Sequence, residues 1–253
     1  MNARGGPRAR AVLVHLYTGS GVVLAFLATA EICSPTPEVR EVFGLLAGAV
    51  LIDATDGTLA RRWEVKRWLP VVNGRTIDDL VDYLTYTFVP MLLIWRMGWL
   101  PEPGIVWVVP VLLASLFGFA NTGAKDERAG FFLGFPSYWN VVAFYAGLAH
   151  RYYGPWVNAI SLVVLALVTV LPVRFLYPNL APHPWRAPLI VGALIWFGVI
   201  LIILPQYSTA PAWLAWLSLA YPLLYLWLSF RLSGRASTQR SPRSSGTNLT
   251  GTR

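Results

Sequence analysis

The sequence predicts an all-α, polytopic membrane protein of about eight transmembrane helices, and three observations carry that prediction. Hydrophobic residues make up 56% of the 253-residue chain and charged residues only 13%, giving a mean hydropathy of +0.54. Apolar runs recur at the length of about 20 residues that a helix needs to cross a bilayer. With the N-terminus placed in the cytoplasm, all 20 Lys and Arg fall on the cytoplasmic side except Arg40, Arg96 and Arg151, as the positive-inside rule requires. The net charge of +8 therefore reflects topology, and no nucleic-acid partner is expected.

Eight apolar spans follow in order, near residues 11–30, 41–60, 77–97, 104–121, 137–152, 155–175, 186–204 and 211–230. Arg4, Arg8 and Arg10 precede the first, which ends in Ala28-Thr29-Ala30, a shape shared with cleavable signals. The run is longer than a signal core, however, and carries His15, Tyr17, Thr18 and Ser20 early, as a span lining a polar cavity does. The second span ends, and the third begins, on aspartates, with the basic loop 61–75 between them. A cytoplasmic loop over 121–136 leads to the fifth span, and a Pro-rich loop bounded by Arg174 and Arg186 leads to the seventh. Residues 1–231 form the transmembrane domain. Residues 232–253 are Ser/Thr/Gly-rich, basic and without apolar periodicity, and are expected to be a disordered cytoplasmic tail. The single cysteine, Cys33, excludes both an internal disulfide and a cysteine-rich metal site.

The chemistry lies in 53–82. Asp53 and Asp56 stand three apart and Asp78 and Asp82 four apart, so each pair projects from one face of its helix. Ionised carboxylates in apolar surroundings cost a few kcal/mol each, which calls for a charge partner. A metal ion is the simplest one. Hard oxygen ligands with no cysteine and no paired histidines favour Mg²⁺ or Mn²⁺ over zinc. Gly57 and Ala60 let a phosphate or nucleotide approach the backbone, Arg61 closes that turn, and Gly74 precedes the second aspartate pair. The layout suits a divalent ion bridging a diphosphate.

Asp53-x-x-Asp56-Gly57-x-x-Ala60-Arg61, followed by Gly74-x-x-x-Asp78-x-x-x-Asp82, resembles the signature of the CDP-alcohol phosphatidyltransferases. Most of that family has eight residues between the Arg and the second Gly. Here the intervening stretch runs from Arg62 to Asn73, a longer spacing similar to that of the bacterial phosphatidylcholine synthase branch. The segments VHLYTGSG, VKRWLP, FFLGFPSYWN and LPVRFLYP agree with that branch, while AKDERAG at 124–130 follows it less closely and leaves Lys125, Asp126 and Glu127 without an assigned role.

The resemblance implies a helical bundle of that family in the bacterial inner membrane, its termini and active site facing the cytoplasm. It implies Asp53, Asp56 and Asp78 as ligands of one or two metal ions that hold the diphosphate of CDP-diacylglycerol. It implies Asp82 as the general base, and Gly57, Ala60, Arg61 and Gly74 as the CDP pocket alongside the metal-binding aspartates. The implied reaction transfers the phosphatidyl group to choline, giving phosphatidylcholine and CMP. Relatives with this motif commonly form homodimers.

Choline itself makes a demand, because a quaternary ammonium has no N–H to donate and is held by aromatic faces near a carboxylate. Tyr83, Tyr86, Tyr138 and Trp139, with Asn140, are the candidates near the motif. Most other aromatics belong to interfacial belts, and Asp79 points away from Asp78 on an ideal helix. His15 reads as an interhelical hydrogen-bonding group, and His150 and His183 as interfacial. The rival acceptors are serine and glycerol 3-phosphate, of which a phosphorylated one would call for basic residues near Asp82. A cation- or proton-coupled transporter is the alternative from another class, and neither an inverted repeat nor carboxylates spread along a span favours it.

Overall fold

The computed structural model describes residues 5–121, 123, 125, 126 and 130–238. Helices occupy each of the eight apolar intervals. They begin with α1 (Gly5–Ile32) and α2 (Val39–Arg62), which pack along one another through Ala25, Ala28, Val42 and Leu46. The third interval holds one continuous rod: α4 (Gly74–Asp82), a π-helical stretch over Tyr83–Phe88, and α5 (Val89–Arg96). Then come α6 (Ile105–Ala120), α7 (Trp139–Tyr153), α8 (Pro155–Val170), α9 (Arg186–Ile203), the short α10 (Ala212–Ser218) and α11 (Ala220–Thr238). The segment beyond Thr238, including most of the expected tail, lies outside the described residues.

Among the described residues, four helical stretches are long and apolar enough to cross a membrane: Gly6–Ile32, Val39–Arg62, Arg186–Gln206 and Ala212–Ser233. Two shorter apolar helices, α6 and α8, pack against each other. Large apolar side chains such as Phe26, Leu194 and Trp213 point outward at 66–70% exposure, which a water-soluble surface would not tolerate in such number but a lipid-facing one requires. The protein is an all-α membrane protein. α4 starts where Asn73 caps it, its side chain accepting from the backbone N–H of Thr76.

The twelve residues between Arg61 and Gly74 do not form an open loop. Glu64 adopts a left-handed conformation (φ 48°) and starts the single-turn helix α3 (Val65–Trp68). Val65 is buried against Ala11 and Val14 of α1, with Trp63, Trp68 and Leu69 around it. The longer spacing thus anchors the linker on the first helix and sets where α4 begins.

A small sheet adds to the helices. β1 (Lys125–Asp126), β2 (Phe131–Leu133) and β3 (Arg174–Leu176) form an antiparallel ribbon in which Phe131 opposes Leu176 and Leu133 opposes Arg174. α11 packs on β3. The ribbon is flanked by Gly130 and Gly134, both at positive φ (74° and 85°). At Gly134 a Cβ would also collide with the carbonyl oxygen of Thr169. Gly134→Ala is therefore expected to cost upwards of about 2 kcal/mol, combining left-handed strain with the clash. Thermal unfolding in detergent measures it, and an unchanged midpoint contradicts it.

Candidate functional site

The C-terminal half of α2 carries Asp53 and Asp56, and the rod beginning at Gly74 carries Asp78 and Asp82. α1 packs against both, and small residues allow the approach. A Cβ on Gly74 would lie 2.8 Å from His15 Cε1, and one on Gly21 would press into Val81. Both elements are held so that one carboxylate oxygen from each of Asp53, Asp78 and Asp82 lies within 4.8 Å of the others. All three residues are half-buried.

That cluster fits a divalent cation. Oxygens around an ion at about 2.1 Å stand up to about 4.2 Å apart, so little closure separates the observed group from a ligand set. Oxygen-only donors match Mg²⁺ or Mn²⁺ chemistry. Asp56 stands outside the group of three. It is 6% exposed, and its Oδ2 accepts from the Thr18 hydroxyl of α1 at 2.7 Å. Next to it the Tyr17 hydroxyl and Thr55 Oγ1 share a hydrogen bond of 2.7 Å. Of the polar residues early in the first span, Thr18 thus reaches a motif carboxylate and Tyr17 the neighbouring Thr55, whereas Ser20 donates to the backbone carbonyl of Tyr17. His15 lies beside Gly74, its buried Nε2 having no hydrogen-bond partner among the described residues.

The remaining motif residues frame the same corner. Arg61 folds back over its own helix, donating from Nη2 to Thr58 Oγ1 at 3.1 Å, and a Cβ on Gly57 would touch Nη1 at 3.4 Å. Ala60 packs with the α3 cluster. Asp79 points away from the other carboxylates and pairs with Arg75 at 3.8 Å.

Directly after Asp82 the helix widens into the π stretch, a feature frequently found at functional sites. It carries Tyr86, which donates to Asp53 Oδ2 at 2.7 Å. The Tyr86 and Tyr138 ring centroids are 6.4 Å apart. Both rings line a cavity of about 260 Å³ between α2, α7, α9 and α11, together with Asn140, Trp196, Tyr221 and Tyr225. Its walls are otherwise apolar, with Leu46 and Val50 on one side and Ile200 and Leu204 on another.

Of the choline-pocket candidates read from the sequence, then, Tyr86, Tyr138 and Asn140 border this cavity. Tyr83 does not: its hydroxyl donates to the Leu112 carbonyl at 3.2 Å, and its ring stands edge-on to Phe119. Trp139 is fully buried and donates from Nε1 to Ser115 Oγ at 2.6 Å. Tyr221 and Tyr225 were not legible as site residues, because nothing but hydropathy marks the last span.

No protein-family model matches the chain. Curated relatives do. The chain is 42% identical over 172 residues to a phosphatidylcholine synthase of Pseudomonas aeruginosa, an alignment covering 68% of this chain and 70% of that protein. It is 31% identical over 208 residues to a phosphatidylcholine synthase of Brucella melitensis, covering 82% of this chain and 73% of the other. With the phosphatidylcholine synthase of Bradyrhizobium diazoefficiens it shares 32% identity over 237 residues, 91% of this chain and 83% of the relative.

Proposed function

Because this chain belongs to the phosphatidylcholine synthase family, we propose that it transfers the phosphatidyl group of CDP-diacylglycerol to choline, releasing CMP. The observation that carries the reading is the group of three carboxylates at the junction of α2 and α4, beside an aromatic cavity with no Lys or Arg among the described residues that line it.

Asp53 and Asp78 would hold a divalent ion, Mg²⁺ or Mn²⁺, with Asp56 contributing from its place beside Thr18. Such an ion, when bound, would supply charge neutralisation to the diphosphate and make CMP a better leaving group. Gly57, Ala60, Arg61 and Gly74 border the nucleotide. Tyr86 orients Asp53 through its 2.7 Å hydrogen bond. Asp82 accepts the choline hydroxyl proton as that oxygen attacks the phosphatidyl phosphorus. A new P–O bond forms to choline, the P–O bond to CMP breaks, and CMP departs with the electron pair.

We place eight membrane crossings in the bacterial inner membrane, with both termini and the carboxylates on the cytoplasmic side. The helices in all eight intervals and the distribution of basic residues support that topology. Against a phosphorylated acceptor, Arg75 is engaged with Asp79. The test is CMP release by purified protein in detergent, with CDP-diacylglycerol, Mn²⁺ or Mg²⁺, and choline, serine or glycerol 3-phosphate supplied separately. Release with choline alone is expected. Release with serine or glycerol 3-phosphate alone would overturn the acceptor, and no release with any would overturn the reaction.

A further inference from the structure

Tyr221 and Tyr225 of α11 lie far in sequence from the carboxylate motif, yet both line the 260 Å³ cavity. They stand one turn apart on the same helix. Each donates its only proton to a backbone carbonyl, Tyr221 to Leu189 at 2.9 Å and Tyr225 to Leu176 at 2.9 Å. Tyr86 is likewise committed, to Asp53. These three residues therefore offer a ligand the electron-rich faces of fixed rings more than their hydroxyls.

The tethers also say which end of the cavity the rings occupy. Leu176 belongs to the sheet, Leu189 to the first turn of α9, and Tyr138 caps the start of α7. Asp53 follows Val50 by one turn of α2. At the opposite end Leu204, past the end of α9, lies beside Gly44. The cavity is thus tyrosine-lined where it meets the carboxylates and lined farther along by apolar side chains without hydroxyls, Phe43 and Phe144 among them. Trp196 stacks on Tyr221 with ring centroids 5.9 Å apart, and its Nε1 donates to the Tyr145 hydroxyl at 3.0 Å, which steadies that wall.

We propose that Tyr221 and Tyr225 join Tyr86 and Tyr138 in a four-tyrosine cage that holds the trimethylammonium head of choline, with Asp53 at its rim and the choline hydroxyl toward Asp82. This deepens the choline reading above and rests on it. Aromatic faces attract a cation that cannot donate a hydrogen bond, most strongly where it is desolvated. A nearby carboxylate adds charge complementarity.

The experiment compares choline with 3,3-dimethyl-1-butanol, its uncharged carbon isostere, as acceptors for CMP release by the full chain in detergent. Wild type is expected to favour choline in kcat/KM. Tyr221→Leu and Tyr225→Leu should each narrow that preference about tenfold, equivalent to about 1.4 kcal/mol, through KM for choline and with KM for CDP-diacylglycerol unchanged. Tyr225→Phe, which keeps the ring, should retain the preference. Tetramethylammonium should inhibit wild type competitively with choline, a readout that does not depend on any variant folding.

A preference unchanged in active Leu variants overturns the cage, since a structural role lowers both acceptors together. A raised KM for CDP-diacylglycerol with the preference intact also overturns it, assigning these rings to the acyl chains. So does the absence of tetramethylammonium inhibition. In each of these cases choline-dependent CMP release by wild type persists, whereas its loss would instead overturn the reaction itself.

Discussion

Asp82→Asn is expected to lower choline-dependent CMP release about 10³-fold, within the range that a positioned general base contributes. The substitution keeps the shape of the side chain and removes its ability to take a proton, so the choline hydroxyl loses its acceptor. Because Asp82 also stands within 4.8 Å of Asp53 and Asp78, a second measurement separates two roles. If Asp82 is the base, the Mn²⁺ concentration giving half-maximal residual activity stays near its wild-type value, and CDP-diacylglycerol still binds. A large rise in that concentration would make Asp82 a third ligand of the ion. Activity near the wild-type level would remove it from both roles.

Helical spacing accounts for Asp78 and Asp82 standing together, because i, i+4 positions share a face wherever the helix forms, but Asp53 joins them only through the packing of α1 against both α2 and α4. What spacing does not contain is how α1 divides the site. Thr18 lies on a neighbouring helix and takes Asp56 as its partner, so the sequential pair Asp53 and Asp56 separates into two environments. The aromatic lining was legible only near the motif. Tyr83 and Trp139 are neighbours of site residues in sequence but turn into the packing around Leu112 and Ser115. Tyr221 and Tyr225 enter from a helix whose sequence reads as one more apolar span.

The ribbon of β1, β2 and β3 was invisible for a different reason. Its strands are two or three residues long, and β2 and β3 come from segments separated by two helices. No local alternation could announce the pairing. Its local trace among the described residues is the pair of glycines at 130 and 134, both at positive φ.

Asp53→Asn is expected to be at least as severe as Asp82→Asn, and different in kind. Asp53 stands at a junction: it belongs to the carboxylate group with Asp78 and Asp82, and it accepts the hydrogen bond of Tyr86, whose ring lines the cavity. Replacing its charge by an amide weakens the oxygen ligand set and leaves Tyr86 facing a group that presents either a carbonyl or an amine. Loss of charge stabilisation worth several kcal/mol corresponds to a fall in turnover of about 10³-fold or more. The half-maximal Mn²⁺ concentration should rise, and CDP-diacylglycerol binding should lose its dependence on metal. Asp56→Asn supplies the comparison, because its carboxylate is buried against Thr18. It should weaken metal-dependent binding of CDP-diacylglycerol by a smaller factor, since an amide still accepts from the Thr18 hydroxyl. If Asp53→Asn left the Mn²⁺ dependence untouched while Asp56→Asn abolished it, the ion would sit on the Thr18 side of α2, and the group of three would serve the acceptor alone.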